Sequence, residues 1–180
     1  MELLTKIKEF AALRTLRRLP KAHEKPIAFN FAKAKTIAVV YNADDNGQTR
    51  AALELYNTLR AEGKQASTLG YFNTDRKKAT VHPKLGFDYF YRSDLDWKLI
   101  PRNGVVDTFI NTPFDLIIDI TGEKLLPVEL IIALSKAKLK AGHLRPEGTV
   151  FYDFMIGGDG KQNIDTFAAQ LIHYLKLLNN

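Results

Sequence analysis

"KTIAVVYNADDNGQTRAALELYNTLRAEGKQASTLGYFN", Lys35–Asn73, decides the fold class. Its opening run, Lys35–Asn42, is β-branched and nearly all apolar, as in a strand covered on both faces. From Gly47 onward Ala52, Leu53, Leu55, Tyr56 and Leu59 recur at helical spacing, and Gly63 ends the helix. "KQASTLGYFN" then reads as a second strand. Strand, helix and strand in so short a span make a βαβ unit, so the two strands are parallel and the crossover right-handed.

The pattern continues toward the C-terminus. "FDLIIDIT" (114–121) is the clearest buried strand of the chain. "LPVELIIALSKAKLK" (126–140) reads as a helix with Pro127 near its first turn, where proline is favoured. "KAGHL" (140–144) reads as a short strand and "TVFYDFMIGG" (149–158) as another buried one. In "NIDTFAAQLIHYLKLL" (163–178) Ile164, Phe167, Ala168, Leu171, Ile172, Leu175 and Leu178 form the stripe of a closing helix. "VVDTFINT" (105–112) predicts a short helix. Residues 73–103 are less regular and fit one or two short strands or a long loop. The expected fold is one α/β domain over residues 34–180. It is Rossmann-like or flavodoxin-like, with a mostly parallel sheet of about five strands flanked by helices.

Residues 1–33 read differently. In "MELLTKIKEFAALRTLRRL" Leu3, Leu4, Ile7, Phe10, Ala11 and Leu13 or Arg14 recur at helical spacing, with Lys and Arg opposite, until Pro20 stops the helix. A connector follows. Residues 1–40 hold nine basic and three acidic residues, an excess equal to the whole formal net charge of +6. The basicity therefore belongs to the N-terminal segment, and the rest of the chain is neutral.

The chain has no cysteine, which excludes disulfides, thiolate metal sites and cysteine nucleophiles and points to a reducing compartment. No apolar run approaches the roughly 20 residues of a membrane span. The N-terminus lacks a secretory signal pattern. A cytoplasmic protein without a transmembrane segment is expected.

Five stretches carry candidate chemistry. Asp44 and Asp45 follow the first strand, where an open α/β sheet binds its ligands, and Asp119 ends a later strand. Carboxylates so placed suit Mg²⁺, and the set resembles the phospho-acceptor constellation of response-regulator receiver domains, although no lysine ends "YDFMI". Equally, Asp44 or Asp45 caps the helix and Asn46-Gly47 makes the turn. In "IGGDGKQN" Gly157, Gly158 and Gly160 fit a phosphate cradle between strand and helix, or a plain turn; neither the Walker nor the dinucleotide fingerprint is matched. Lys136, Lys138, Lys140, His143 and Arg145 form an anion-binding edge or a basic helix end. Between Tyr71 and Arg102, aromatics including Tyr89, Tyr91 and Trp97 alternate with Lys and Arg. That is what single-stranded nucleic acid needs, and also what a hairpin packed on the sheet would show. The N-terminal helix offers Lys6, Lys8, Arg14, Arg17 and Arg18 to RNA phosphates, an anionic membrane or a protein groove, unless its apolar stripe packs back on the domain. The histidines are scattered and no G-x-S-x-G elbow is present. No catalytic residue, metal site or cofactor is assigned.

The ordered set "LGYFN", "FDLIIDIT", "LSKAKLKAG", "YDFMI" and "QLIHYLKLLNN", behind a basic helix, resembles a family of short bacterial proteins of unknown function. The resemblance implies a Rossmann-like domain in a bacterial cytoplasm and no activity. Locally, "FDLIIDITG" with "ALSKAKLKAGH" is similar to a strand–helix–strand segment of heptosyltransferase-type enzymes, a matter of fold alone. The expected function is a non-enzymatic adaptor meeting RNA or a ribonucleoprotein through the basic helix and the aromatic-basic segment. The alternative is a binder or enzyme for a phosphate-bearing small molecule, in the crevice at the carboxyl ends of the strands.

Overall fold

The two most apolar runs pair at the centre of the molecule. Strand β1 (Thr36–Asn42) lies parallel beside β4 (Leu116–Asp119), with Ile37 opposite Leu116 and Val40 opposite Asp119. All four residues of β4 are buried, as a strand with helices on both faces must be. The computed structural model describes residues 2–19, 29–79, 81, 84–145, 151–157 and 163–178. Around the central pair stand β2 (Gln65–Phe72), β3 (Phe87–Tyr91), β5 (Leu139–His143) and β6 (Phe154–Ile156). The helices are α1 (Glu2–Leu16), α2 (Asn46–Ala61), α3 (Gly104–Asn111), α4 (Leu126–Leu134) and α5 (Ile164–Leu177).

The sheet has six strands, all parallel, in the order β3-β2-β1-β4-β5-β6. This is the strand order of the doubly wound Rossmann sheet. The strand beyond the expected five is β3, from the irregular segment. It pairs in parallel with β2, Thr68 opposite Phe87, so the aromatic run is not one arm of a hairpin. The chain moves outward from β1 to β3, then returns to build β4, β5 and β6 on the other side. The crevice between the carboxyl ends of β1 and β4 is therefore the topological switch point.

Side chains alternate across each strand and build two cores. Ile37, Val39, Tyr41 and Ile118 pack under α2 and α5. Ala38, Val40, Leu69, Phe90 and Ile117 pack under α1, α3 and α4. The connector's last residues join the first core, where Phe29 and Phe31 are buried. Helix α4 ends at Leu134, short of the expected Lys140. Ser135 Oγ accepts from the Ala137 amide at 3.1 Å, Lys136 donates its amide to Ile110 O, and Leu139 already belongs to β5.

Helix α1 docks with an unexpected face. Ala12 and Leu16 are buried in the second core, against α4. The stripe Leu3, Leu4, Ile7 and Phe10 points outward, with Leu3 72% and Phe10 65% exposed. Small Ala12 permits close approach to the domain, so the helix is held by its second half.

Asp115, at the start of β4, clamps three strand ends. It accepts from the amides of Lys35 at 2.7 Å and Thr36 at 3.0 Å and from Lys138 Nζ at 2.8 Å. Burial raises its carboxyl, but the Lys138 bond and the two amides outweigh burial and hold it well below the usual carboxylate range. A depressed folded pKa gives stability that is present above the unfolded value near 4 and lost as pH falls through the folded one. Asp115→Asn is therefore expected to lower the urea midpoint at pH 7, with the deficit shrinking steadily below about pH 4. An equal deficit at pH 7 and pH 3 would contradict this assignment.

Candidate functional site

The loop after β1 is bonded throughout. Asp45 is the N-cap of α2: its Oδ1 accepts from the amides of Gly47 at 2.7 Å and Gln48 at 3.0 Å. A β-carbon at Gly47 would stand 3.1 Å from that oxygen, so glycine suits the second helical position. Gln48 Oε1 accepts from the Asn42 amide, and Asn42 Nδ2 donates to Glu123 across the switch point. Asp44 turns toward β2, where its Oδ2 accepts from the Asn73 amide at 2.7 Å.

Asp119 faces the other way, into a buried polar network beneath α4. Its Oδ1 accepts from the amide and hydroxyl of Thr121 at 2.8 and 2.7 Å, and its Oδ2 from the Tyr152 hydroxyl. Arg145 closes the network, donating to Thr121 O at 2.6 Å, to Thr121 Oγ1 at 3.0 Å and to Glu129 Oε1 at 3.2 Å. Burial pushes the Glu129 carboxyl up against the pull of Arg145 and Lys124. Burial, then the Asp119 charge, pushes the Tyr152 phenol far up, so it stays a donor. A β-carbon at Gly142 would come within 2.9 Å of the Tyr152 ring, so only glycine lets this ring reach Asp119.

The structure thus does not bring Asp44, Asp45 and Asp119 together, and among the described residues no group of three His, Asp or Glu side chains is set to hold a metal ion. Gly157 lies just past β6, while Gly158 and Gly160 lie outside the described residues. The basic edge disperses too. Lys138 pairs with Asp115, and Lys140 reaches Ala133 O. His143 stacks on Phe167 with ring centroids 3.4 Å apart, and burial lowers its pKa. Arg145 joins the network above. One signal for that network was legible: Glu129 is the lone charge in the apolar run "LPVELIIAL".

The aromatic-basic segment is spent mostly on packing. Tyr91 stacks on Phe72 at 5.4 Å and carries Arg76 on its ring at 4.3 Å. Tyr89 packs on the same Phe72. Trp97 is different: it is 61% exposed, with Lys98 Nζ 5.0 Å from its ring. Its loop is held by Asp96, whose Oδ1 accepts from the amides of Lys98 at 2.8 Å and Ile100 at 3.0 Å. Leu99 takes a φ of 60°, a left-handed conformation costly for a leucine.

Between this loop, α1 and the start of α4 lies a cavity of about 600 Å³, at the carboxyl ends of β2, β3 and β4. Lys8, Glu9 and Leu13 of α1 form one wall. Of the helix cations, Lys8 thus lines the cavity, while Arg14, Arg17 and Arg18 are exposed beyond it. Lys6 is exposed as well. No helix among the described residues is long and apolar enough to cross a membrane.

No curated protein matches the chain. A family model described as a family of unknown function, DUF6913, matches residues 8–178, from within α1 to the end of α5. The chain with this six-stranded parallel sheet and its docked N-terminal helix belongs to the family DUF6913.

Proposed function

We propose that the protein is a non-enzymatic adaptor of a bacterial cytoplasm that docks on a ribonucleoprotein through α1. The carrying observation is the outward face of this helix. Ala12 and Leu16 already anchor it to the domain, so Leu3, Leu4, Ile7 and Phe10 are left for a partner. Four large apolar side chains in two turns suit an apolar groove on a protein. Arg14, Arg17 and Arg18 follow on the exposed side and suit phosphates. A ribonucleoprotein presents both surfaces at once. Trp97 with Lys98 adds a stacking platform for a base, a role that buried Tyr91 and packed Tyr89 no longer fit. The carboxylates near the switch point, bonded within the protein, further support a binding role.

The test uses the full chain and its arginine variant. Three lost phosphate contacts on single-stranded RNA should flatten the plot of log affinity against log salt by about 2. Arg14→Gln, Arg17→Gln and Arg18→Gln together are expected to show that change. Ile7→Glu with Phe10→Glu should release the protein from the particle while leaving the RNA slope intact. Particle binding that ignores nuclease, salt and all five substitutions would end the reading. A second reading, a binder of a phosphate-bearing or other anionic small molecule, rests on the cavity at the strand ends.

A further inference from the structure

We infer that the cavity between α1, α4 and the β3–α3 loop is a binding site for an amphiphilic anion, a small molecule with a carboxylate or phosphate head on an apolar body. This stands apart from the adaptor reading, and either holds without the other. The volume of about 600 Å³ lies in the range of small-molecule sites. Its walls divide by chemistry. Leu13 of α1, Leu95 and Leu99 of the loop, and Leu125, Leu126 and Pro127 at the start of α4 make an apolar lining from three separate elements. An acyl or similar body would be desolvated there.

The rim is polar and its balance favours an anion. Lys8 and Arg92 border the cavity, with the acids Glu9 and Asp96; Lys124 lines it too but is already engaged, so Lys8 and Arg92 carry the balance. Asp96 is already compensated, because its oxygens take the Lys98 and Ile100 amides and Arg102 Nε at 3.3 Å. Among the described residues the Arg92 guanidinium has one long contact, 3.5 Å, to an exposed Asp75, so it keeps donors for a head group. Tyr71 and Asn73 complete the rim; the Tyr71 hydroxyl donates to Asn73 Oδ1 at 3.1 Å. Helix α4 opens on the cavity with Leu125 at its N-cap and no side-chain cap, which adds the positive end of its dipole to the cationic rim. The left-handed Leu99 falls in the same wall, so the one non-glycine residue of positive φ among those described lies where the ligand would lie.

Trp97, the single tryptophan of the chain, sits in the loop of this wall, between the lining residues Asp96 and Leu99, and its fluorescence is the readout. The probes are decanoate and decyl phosphate, with decanol and inorganic phosphate as controls, each below its aggregation limit. Decanoate or decyl phosphate should change Trp97 fluorescence saturably and raise the melting temperature. Decanol should bind about tenfold more weakly, and inorganic phosphate should do neither. Decanoate against decyl phosphate tells which head group is preferred. Arg92→Gln should weaken the anion about tenfold and leave decanol unchanged. Ile7→Glu with Phe10→Glu, on the outward face of α1, should leave both unchanged. The inference is overturned if neither anion binds, if Arg92→Gln leaves the anion's affinity intact, or if only the outward-face variant abolishes binding.

Discussion

Replacing Arg145 by methionine is expected to cost about 3–5 kcal/mol of folding stability, the usual result of breaking a buried ion pair from one side. Arg145 and Glu129 are 13% and 5% exposed, and each is the other's buried counter-charge. Without the guanidinium, Glu129 remains in an apolar helix face and Thr121 O loses its 2.6 Å donor. The variant should also depend on pH in a defined sense. Burial already pushes the Glu129 carboxyl up, and the loss of Arg145 removes an opposing pull. A raised folded pKa gives stability that is full below the unfolded value near 4.3 and lost as pH rises through the folded one. Urea melts of Arg145→Met should therefore show a midpoint that falls from pH 5 to pH 8 more steeply than in the native chain. Adding Glu129→Gln should recover part of the loss, because the stranded charge is then gone. A cost below about 1 kcal/mol, or no recovery, would show that the network does not hold α4 to the sheet.

Lys64→Met is the second large effect, expected at about 3 kcal/mol. Lys64 is buried between α2 and β2, and its ammonium donates to Phe31 O at 2.9 Å, Ala32 O at 2.9 Å and Ala34 O at 2.7 Å. Methionine keeps most of the stem volume and removes all three bonds, so three carbonyls lose a charged donor. These bonds pin the connector where Phe29 and Phe31 enter the core. Urea melts should show the loss, and limited proteolysis should cut near residues 29–34 in the variant before the native chain. If the midpoint falls and cleavage moves elsewhere, Lys64 acts through packing and not through these carbonyls.

Both residues show where sequence reading stops. Asp45 as a helix cap was legible, since it needs only neighbours two and three positions along. The Tyr152 partner of Asp119 lies 33 residues away, the Glu129 and Thr121 partners of Arg145 lie 16 and 24 away, and Lys64 meets carbonyls 30–33 residues before it. Nothing local links them. Strand β3 was obscured for a similar reason. "FDYFY" alternates as readily in a hairpin as in a parallel edge, and the choice is made by β2, whose register sets Thr68 against Phe87. The stripe of α1 is the sharpest case. Periodicity states which residues share a helix face, and it does so correctly for Leu3, Ile7 and Phe10. It cannot state which face the domain receives. That depended on the shape of α4, which accepts Ala12 and Leu16.

What the amino-acid order determined by itself was the α/β class, the central strands, the cap and turn that open α2, and the concentration of charge at the N-terminus. These follow from short-range rules: side-chain period, turn chemistry and a count of charges. The tertiary structure alone decided that Asp119 turns away from the Asp44–Asp45 loop, that most aromatics of the irregular segment pack inward, and that α1 roofs a cavity with Leu3, Leu4, Ile7 and Phe10 outward. Those outcomes depend on which surfaces meet across the sheet, and burial is a property of the pair of surfaces and not of either one.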